Sequence, residues 1–257
     1  MRLVAIMLLL LCNPSMAANC DLGRDDLLTR AGRDAGPTDV YIHTYINDIV
    51  TINDAQQSFS SDVFIRIEWP DPRLAHAGET PCSVGLGDIW WPELQIMNRR
   101  SVENVREVRP LVAPDGTVSL LLRGFGEFSF NADLTNFPFD TQRLGFDILS
   151  VYSDGEINFV YEEERIALAP ELSVANFTVT MLGVEERADV VASTQRKHAR
   201  LLINMQAERL TGFYTWQQLV PLFLVVLMAW IVFWIPREHV PSRIGLAATS
   251  MLTLIAY

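Results

Sequence analysis

The 257-residue chain is 49% hydrophobic and carries a formal net charge of −11, from 31 acidic and 20 basic side chains. That hydrophobic share supplies one sizeable core domain plus membrane segments. Residues 19 to 210 hold 30 acidic and 17 basic groups, a net of −13, which argues against nucleic acid or anionic lipid as the partner of the polar part. In chain order, residues 1–18 read as a secretory signal peptide: Arg2, an apolar stretch from Leu3 to Leu11, then small residues at Ser15-Met16-Ala17-Ala18. The stretch is too short to span a bilayer as a stable helix; an uncleaved N-terminal anchor is the competing reading. Cys12 would leave with the leader. Export would allow Cys20 and Cys82 to bond, but nothing in the sequence fixes their separation, so that disulfide stays open.

Residues 21 to 36 are polar and read as a short helix or an irregular arm. From Thr38 the texture becomes that of strands. Tyr41–Ile46 and Val63–Trp69 alternate with period two. Further strands are predicted at Thr117–Arg123, Glu127–Asn131, Arg143–Val151, Glu156–Tyr161, Phe177–Val184 and Ala199–Arg209. Turn signals separate them at Pro70-Asp71-Pro72, Pro114-Asp115-Gly116 and Ser153-Asp154-Gly155. Many short strands with no interleaved helix predict an antiparallel sandwich or barrel.

The polar domain is expected to end near Arg209-Leu210. Phe213 to Ile235 is almost free of charge and long enough to cross the hydrocarbon core, with Pro221 inside it. Tyr214 and Trp216 at one end, and Trp230 and Trp234 towards the other, suit interfacial aromatic belts. Arg237 and Arg243 lie beyond the far end, which the positive-inside rule places in the cytoplasm. The expected organisation is a leader (1–18), an external β domain (19–210), a first transmembrane helix (211–235) and the start of a second (241–257). In the second, Gly245, Thr249, Leu252 and Ala256 recur at helical spacing and form one stripe. Several copies around an axis would give a hydroxyl ring at Thr249 and a hydrophobic constriction at Leu252, which gates by dewetting. An ordinary helix whose small residues serve packing is the alternative. The chain stops inside this second span and reads as a fragment.

Five motifs, in order, resemble the pentameric ligand-gated ion channels of the Cys-loop superfamily, and its bacterial members in particular. They are Phe64-Ile-Arg-Ile-Glu-Trp69-Pro-Asp71-Pro-Arg73-Leu74; Ile89-Trp90-Trp91-Pro92-Glu93 with Asn98; Asp133-Leu-Thr-Asn-Phe137-Pro138-Phe139-Asp140-Thr-Gln142; Arg209 before the first span; and Tyr214, Gln217, Pro221, Trp230 and Phe233-Trp234-Ile235, followed by Arg243-Ile-Gly-Leu. The cysteines flanking the family's signature loop are replaced here by Phe130 and Leu144. The resemblance implies an immunoglobulin-like extracellular sandwich followed by α-helical transmembrane segments, a homopentamer in a bacterial inner membrane with its ligand domain in the periplasm, and lipid and inorganic ions as partners. A small ligand or protons would bind between subunits and open the pore. No cofactor and no metal are implied.

By the same resemblance, coupling to the membrane would involve Asp54, the knuckle Phe137-Pro138-Phe139, and an Asp140–Arg209 pair. Ligand contacts would come from Phe64, Arg66, Met97, Val151 and Tyr152. The third binding loop, Glu185 to His198, has no aromatic residue, which argues against a full cage for a quaternary amine and for a polar or anionic ligand, or for pH gating. Glu238, Ser242 and Arg243 stand at the selectivity entrance; Pro241-Ser242-Arg243 resembles the anion branch, while Glu238 and the acidic outer domain favour cations. A membrane-anchored periplasmic binding protein without conduction is the second reading. An enzyme is the third. Against it, there is no nucleophile elbow, no paired-carboxylate motif and no phosphate loop, and His43, His76, His198 and His239 are scattered.

Overall fold

The computed structural model describes residue 20 and residues 27–104, 109–191, 195–236 and 238–256. The segment expected as a leader, 1–18, therefore lies outside the described residues, as do residues 19, 21–26, 105–108, 192–194, Arg237 and Tyr257.

Two sheets face each other. The first runs in the order β3 (Cys82–Ser83), β6 (Leu111–Val112), β7 (Thr117–Ser129), β2 (Ser58–Pro70), β1 (Thr38–Asn53), β9 (Ile157–Leu168), with β5 (Arg99–Asn104) also on β7. The second runs β10 (Phe177–Val191), β11 (Arg196–Arg209), β8 (Thr141–Ser153), β4 (Leu94–Ile96). Val63, Ile65, Ile67 and Trp69 of β2 alternate inward and are buried, while Phe64, Arg66 and Glu68 point out of the same pleat. Between the sheets Phe59, Phe128 and Phe146 form an aromatic knot with centroids 4.8–5.6 Å apart; each such pair adds about 0.5–1.5 kcal/mol beyond area burial. Phe130 edges onto Phe59 at 6.4 Å, and Leu144 is buried in the same core.

Several expectations need correction. The pairing of β1 with β9 is parallel, so the sandwich is not antiparallel throughout. Of the two readings for residues 21–36, the described part, 27–36, follows the irregular arm: it forms turns and no helix, tied down by buried Leu27 and by Arg30, which donates to the carbonyls of Arg33 and Gly36. The strands expected at Thr117–Arg123 and Glu127–Asn131 are one strand, β7, because β2 pairs with it unbroken from Pro70 to Ser58 and carries it through Gly124 and Gly126. Strand β9 continues past Tyr161 by bulging through Glu162–Arg165, with Ile42 opposite Tyr161 and Thr44 opposite Ile166. Strands β10 and β11 reach further than the expected Val184 and Ala199, so most of the segment expected to be a binding loop is a hairpin.

Two motifs are explained by burial. Asp71 is fully buried, and its carboxylate accepts from the backbone N–H, Nε and Nη2 of Arg73, whose Nη2 also reaches the Thr29 carbonyl. Asn98 joins the sheets: it donates to Ser129 and Gly145 and accepts from the Asp147 N–H. Cys20 and Cys82 are bonded, with Cα atoms 5.2 Å apart.

After Arg209 the chain turns helical. A short helix α1 (Thr211–Tyr214), a π-helical turn (Thr215–Leu219), a helix α2 (Val220–Ile231) and a 3-10 turn (Val232–Trp234) follow without interruption. The π turn has a cause in Pro221, which has no N–H to give to the preceding turn and whose ring crowds it. Thr215–Trp234 is 20 residues of apolar helix with none of its residues fully buried in the protein, long and apolar enough to cross a membrane. Helix α3 (Val240–Ala256) packs back against α2, burying Ser250.

Candidate functional site

The densest polar cluster lies at the junction of sandwich and helix. Arg209 is the last residue of β11, two positions before α1, and its side chain is 1% exposed. Its Nε and Nη2 reach the two oxygens of Asp140 at 2.7 and 2.9 Å, and Nη2 reaches Asp54 at 2.7 Å. Asp54 comes from the turn between β1 and β2, and Asp140 from the end of the loop that precedes β8. Two rings cover the guanidinium, Phe177 at 4.5 Å and Phe137 at 5.1 Å. Arg209 also donates its backbone N–H to the Asp140 carbonyl. One cation therefore clasps three segments far apart in sequence.

Gln142 closes the loop from within. Its amide donates to the Asp133 carbonyl at 2.8 Å and to the Asp140 carboxylate, and its oxygen accepts from the Asp133 N–H at 2.9 Å. The Phe137–Pro138 peptide is cis. The aromatics of the knuckle part company: Phe137 lies partly over Arg209, whereas Phe139 is 68% exposed. The Arg209 guanidinium holds the Asp140 carboxyl below the usual aspartate range, against the opposing effect of burial, and Gln142 adds to the lowering. Asp140 in turn pushes the Arg209 pKa up. The second Asp54 oxygen, Oδ1, is buried without a hydrogen-bond partner among the described residues.

The residues expected to hold a ligand do not converge within one chain. Phe64 and Arg66 project from the outer face of the first sheet; Val151 belongs to the second, and Met97 stands in the turn just after its edge strand β4. Phe64 is half-buried under Arg123, whose guanidinium sits 4.8 Å above the ring and is bound to Asp62 at 2.8 and 3.1 Å. Arg66 pairs with Glu68 at 2.5 Å, and His43 Nε2 lies 3.7 Å from the same carboxylate. Met97 and Val151 are exposed on adjacent segments, pinned by Met97 N–H to Asp147 and Val151 N–H to Glu93. Tyr152 turns inward to pack against Trp90, with the rings tilted and their centroids 5.4 Å apart, so it joins the core within the chain. The hairpin that follows carries charge in place of rings: Arg200 bridges Asp147 and Asp189, and Arg187 pairs with Glu185. Among the described residues no three His, Cys, Asp or Glu side chains converge as metal ligands.

Sequence reasoning missed Asp62, Arg123, Gln142, Phe177 and Arg200. Gln142 stood inside a quoted motif, and its side-chain role had no local signal. Arg200 and Asp189 become diagonal neighbours only once the hairpin register sets Arg187 opposite Arg200.

In the helices, Gly245, Thr249, Leu252 and Ala256 are all exposed, on flanks of α3 that do not meet α2. Glu238 and Ser242 are also exposed. Arg243 instead turns towards the end of the first span and donates from Nε to the Val232 carbonyl at 3.3 Å, away from the stripe.

A β-sandwich clasped at its base to an apolar helix of spanning length is the build of a membrane receptor's outer domain. The chain matches the family described as Neurotransmitter-gated ion-channel ligand binding domain over residues 25–210, and it belongs to that family. This is a family of ligand-gated channels, not of enzymes. The chain is also similar to the gamma-aminobutyric acid receptor subunit rho-3 of Rattus norvegicus, 27% identical over 241 residues, which cover 89% of this chain and 52% of that protein. The chain thus spans about half the length of this curated relative.

Proposed function

We propose that this chain is a subunit of a homopentameric ligand-gated ion channel of a bacterial inner membrane, with its leader removed, residues 19–210 in the periplasm, 211–235 as the first span and 241–257 in the second, pore-lining one. Binding of a small ligand or protons between neighbouring outer domains opens the pore. The observation that carries this reading is the Arg209 clasp. It fastens the turn at Asp54 and the knuckle Phe137-Pro138-Phe139 to the residue from which the span departs. Movement in either sheet therefore reaches the helices through buried charge, where a lost partner costs several kcal/mol.

Across a subunit boundary, Met97, Val151 and the charged hairpin of one copy face Phe64 and Arg66 of the next. The Arg200–Asp147–Asp189 bridge and the absence of a ring in that hairpin favour a polar or anionic ligand over a quaternary amine. The ring of Thr249 and Leu252 forms the throat, with Gly245 and Ala256 leaving space on either side of it. Of the entrance residues, Glu238 and Ser242 face solvent and have the stronger support for setting ion selectivity, since Arg243 reaches towards Val232.

The test is conductance of the full-length product of the gene in planar bilayers, across pH 4–8 and with small polar and anionic ligands, comparing wild type with Leu252→Thr. A gated current altered by Leu252→Thr supports the proposal. Well-formed pentamers that stay silent under every condition overturn it and leave a binding protein without conduction.

A further inference from the structure

We infer that the outer face of the second sheet holds a binding site for short extended peptides with free termini, about three residues long. A cleft of about 500 Å³ opens there, at the edge where β10 runs beside β9. That volume is in the range of clefts that hold small ligands. Strand register makes the cleft. On β11, Ile203 and Met205 are buried between the sheets, so Leu202, Asn204 and Gln206 face out. Asn204 pairs with Gly183 of β10 on one side and with Gly145 of β8 on the other. The outward row through Asn204 thus has a position without a side chain on each flank, which leaves a trough across three strands. The backbone requires both glycines. Gly183 has φ +133° beside the bulge at Leu182, and a Cβ on Gly145 would strike the Ile203 carbonyl.

The lining selects the ligand. At the β8 end stands Arg143, in the row next to the trough, opposite Gln206. At the other end Glu163, from the bulge of β9, reaches the cleft past the β10 edge. Both are exposed, and neither has an ion-pair or hydrogen-bond partner among the described residues. The same holds for the half-buried amide of Asn204 between them. The other charges of the lining, Glu185 and Arg187, satisfy each other through two bonds of 2.9 Å. One cation, one amide and one anion are thus left over, in that order across the sheet. Strands β8 and β10 lie two strand spacings apart, roughly 10 Å, with Glu163 beyond. A free amino acid, with both charges on one residue, cannot touch both ends. Three extended residues, at about 3.3–3.6 Å each, span them. The peptide carboxylate meets Arg143, its ammonium meets Glu163, and a middle peptide group meets the Asn204 amide, which both donates and accepts. Leu182 and Leu202 give apolar contact to its side chains. In a domain of net −13 a simple anion is repelled, and a simple cation gains no second anchor. Arg143, Asn204 and Glu163 belong to one chain and are not among the residues assigned to the boundary between subunits. The inference therefore stands whether or not the protein conducts.

The experiment uses the full chain in detergent micelles, with calorimetry and ligand-observed saturation-transfer NMR. The probes are trialanine, its N-acetylated form, its C-terminal amide, and alanine. Trialanine is expected to bind saturably, and alanine not to bind. Each blocked peptide is expected to bind about fivefold more weakly or worse, having lost one charge-assisted anchor at an exposed position. Arg143→Gln and Glu163→Gln are each expected to weaken trialanine by a similar factor. Arg143→Gln should leave the amidated peptide unaffected, and Glu163→Gln the acetylated one, because each pair has then already lost the same contact. Asn204→Trp, which fills the trough, is expected to abolish binding with circular dichroism unchanged. If that variant does not fold, Arg143→Glu, an exposed charge reversal, takes its place with the same expected loss. The inference is overturned if trialanine does not bind, if alanine or either blocked peptide binds as well as trialanine, if Arg143→Gln or Glu163→Gln binds trialanine as well as wild type, or if a folded Asn204→Trp or Arg143→Glu still binds it.

Discussion

Replacing Arg209 with glutamine removes the cation at the centre of the clasp while keeping a polar side chain of similar reach. Asp140, whose side chain is 2% exposed, then loses both charge-assisted bonds and keeps Gln142 as its side-chain donor. Asp54 loses its bond as well, and its other oxygen is already without a partner. Breaking a buried pair from one side costs about 3–5 kcal/mol, because the remaining charge is left uncompensated. For a domain of this size that is a fall of roughly 6–20 °C in Tm. Asp140→Asn is expected to cost less, since Asp54 still faces the guanidinium. The double variant, which leaves no buried charge in the pair, is expected to recover about 2–3 kcal/mol relative to the sum of the single changes. The assay is urea denaturation of the full chain in detergent, followed by far-UV dichroism of the sandwich. If Arg209→Gln costs under about 1 kcal/mol, the range of exposed pairs, or if the two changes add within about 0.5 kcal/mol, the clasp is not the buried switch element described above.

Three further outcomes are expected. Asp140 and Asp62 both titrate below the ordinary aspartate value of 3.8, held down by Arg209 and Arg123. Their contribution is thus fully present above that value and lost as pH falls through the lower folded values. Denaturation midpoints from these pairs should stay level from pH 7 to 5 and drop below about pH 4, less steeply in Asp140→Asn; a steep loss between pH 7 and 5 would contradict this. Reducing Cys20–Cys82, which are 62 residues apart, should cost about 2–4 kcal/mol, read as the shift in urea midpoint with and without dithiothreitol; no shift refutes it. Gly116 has φ +88°, and a Cβ there would meet the Asp71 carbonyl at 2.6 Å, so Gly116→Ala should destabilise by about 1–3 kcal/mol, an effect that an unchanged Tm would rule out.

Much of the sandwich could be read from the chain because one face of each strand is buried. Val63, Ile65, Ile67 and Trp69 announce β2 through a period of two that burial enforces. The short strands β3, β4 and β6 could not be read, since two or three residues carry no period. Gly124 and Gly126 looked like a break because local propensity ignores the unbroken partner strand. At the site, proximity to the span drew attention to Arg209 and motif order to Asp140. The covering ring of Phe177 and the saturation of Phe64 by Arg123 are products of tertiary register, which pairs residues 59 positions apart and leaves no local mark. The π turn was likewise hidden, although Pro221, its cause, was in plain view.

Strand β11 lies between β10 and β8 and ends at Arg209, directly before the apolar helix. The second sheet therefore has no middle until nearly all of the sandwich has been synthesised. The strand that completes it leaves the ribosome immediately ahead of the apolar helix of spanning length. If that helix enters a bilayer as proposed, sheet closure and membrane insertion are scheduled together, and a nascent chain arrested before Arg196 would present β8 and β10 as bare edges, open to mispairing.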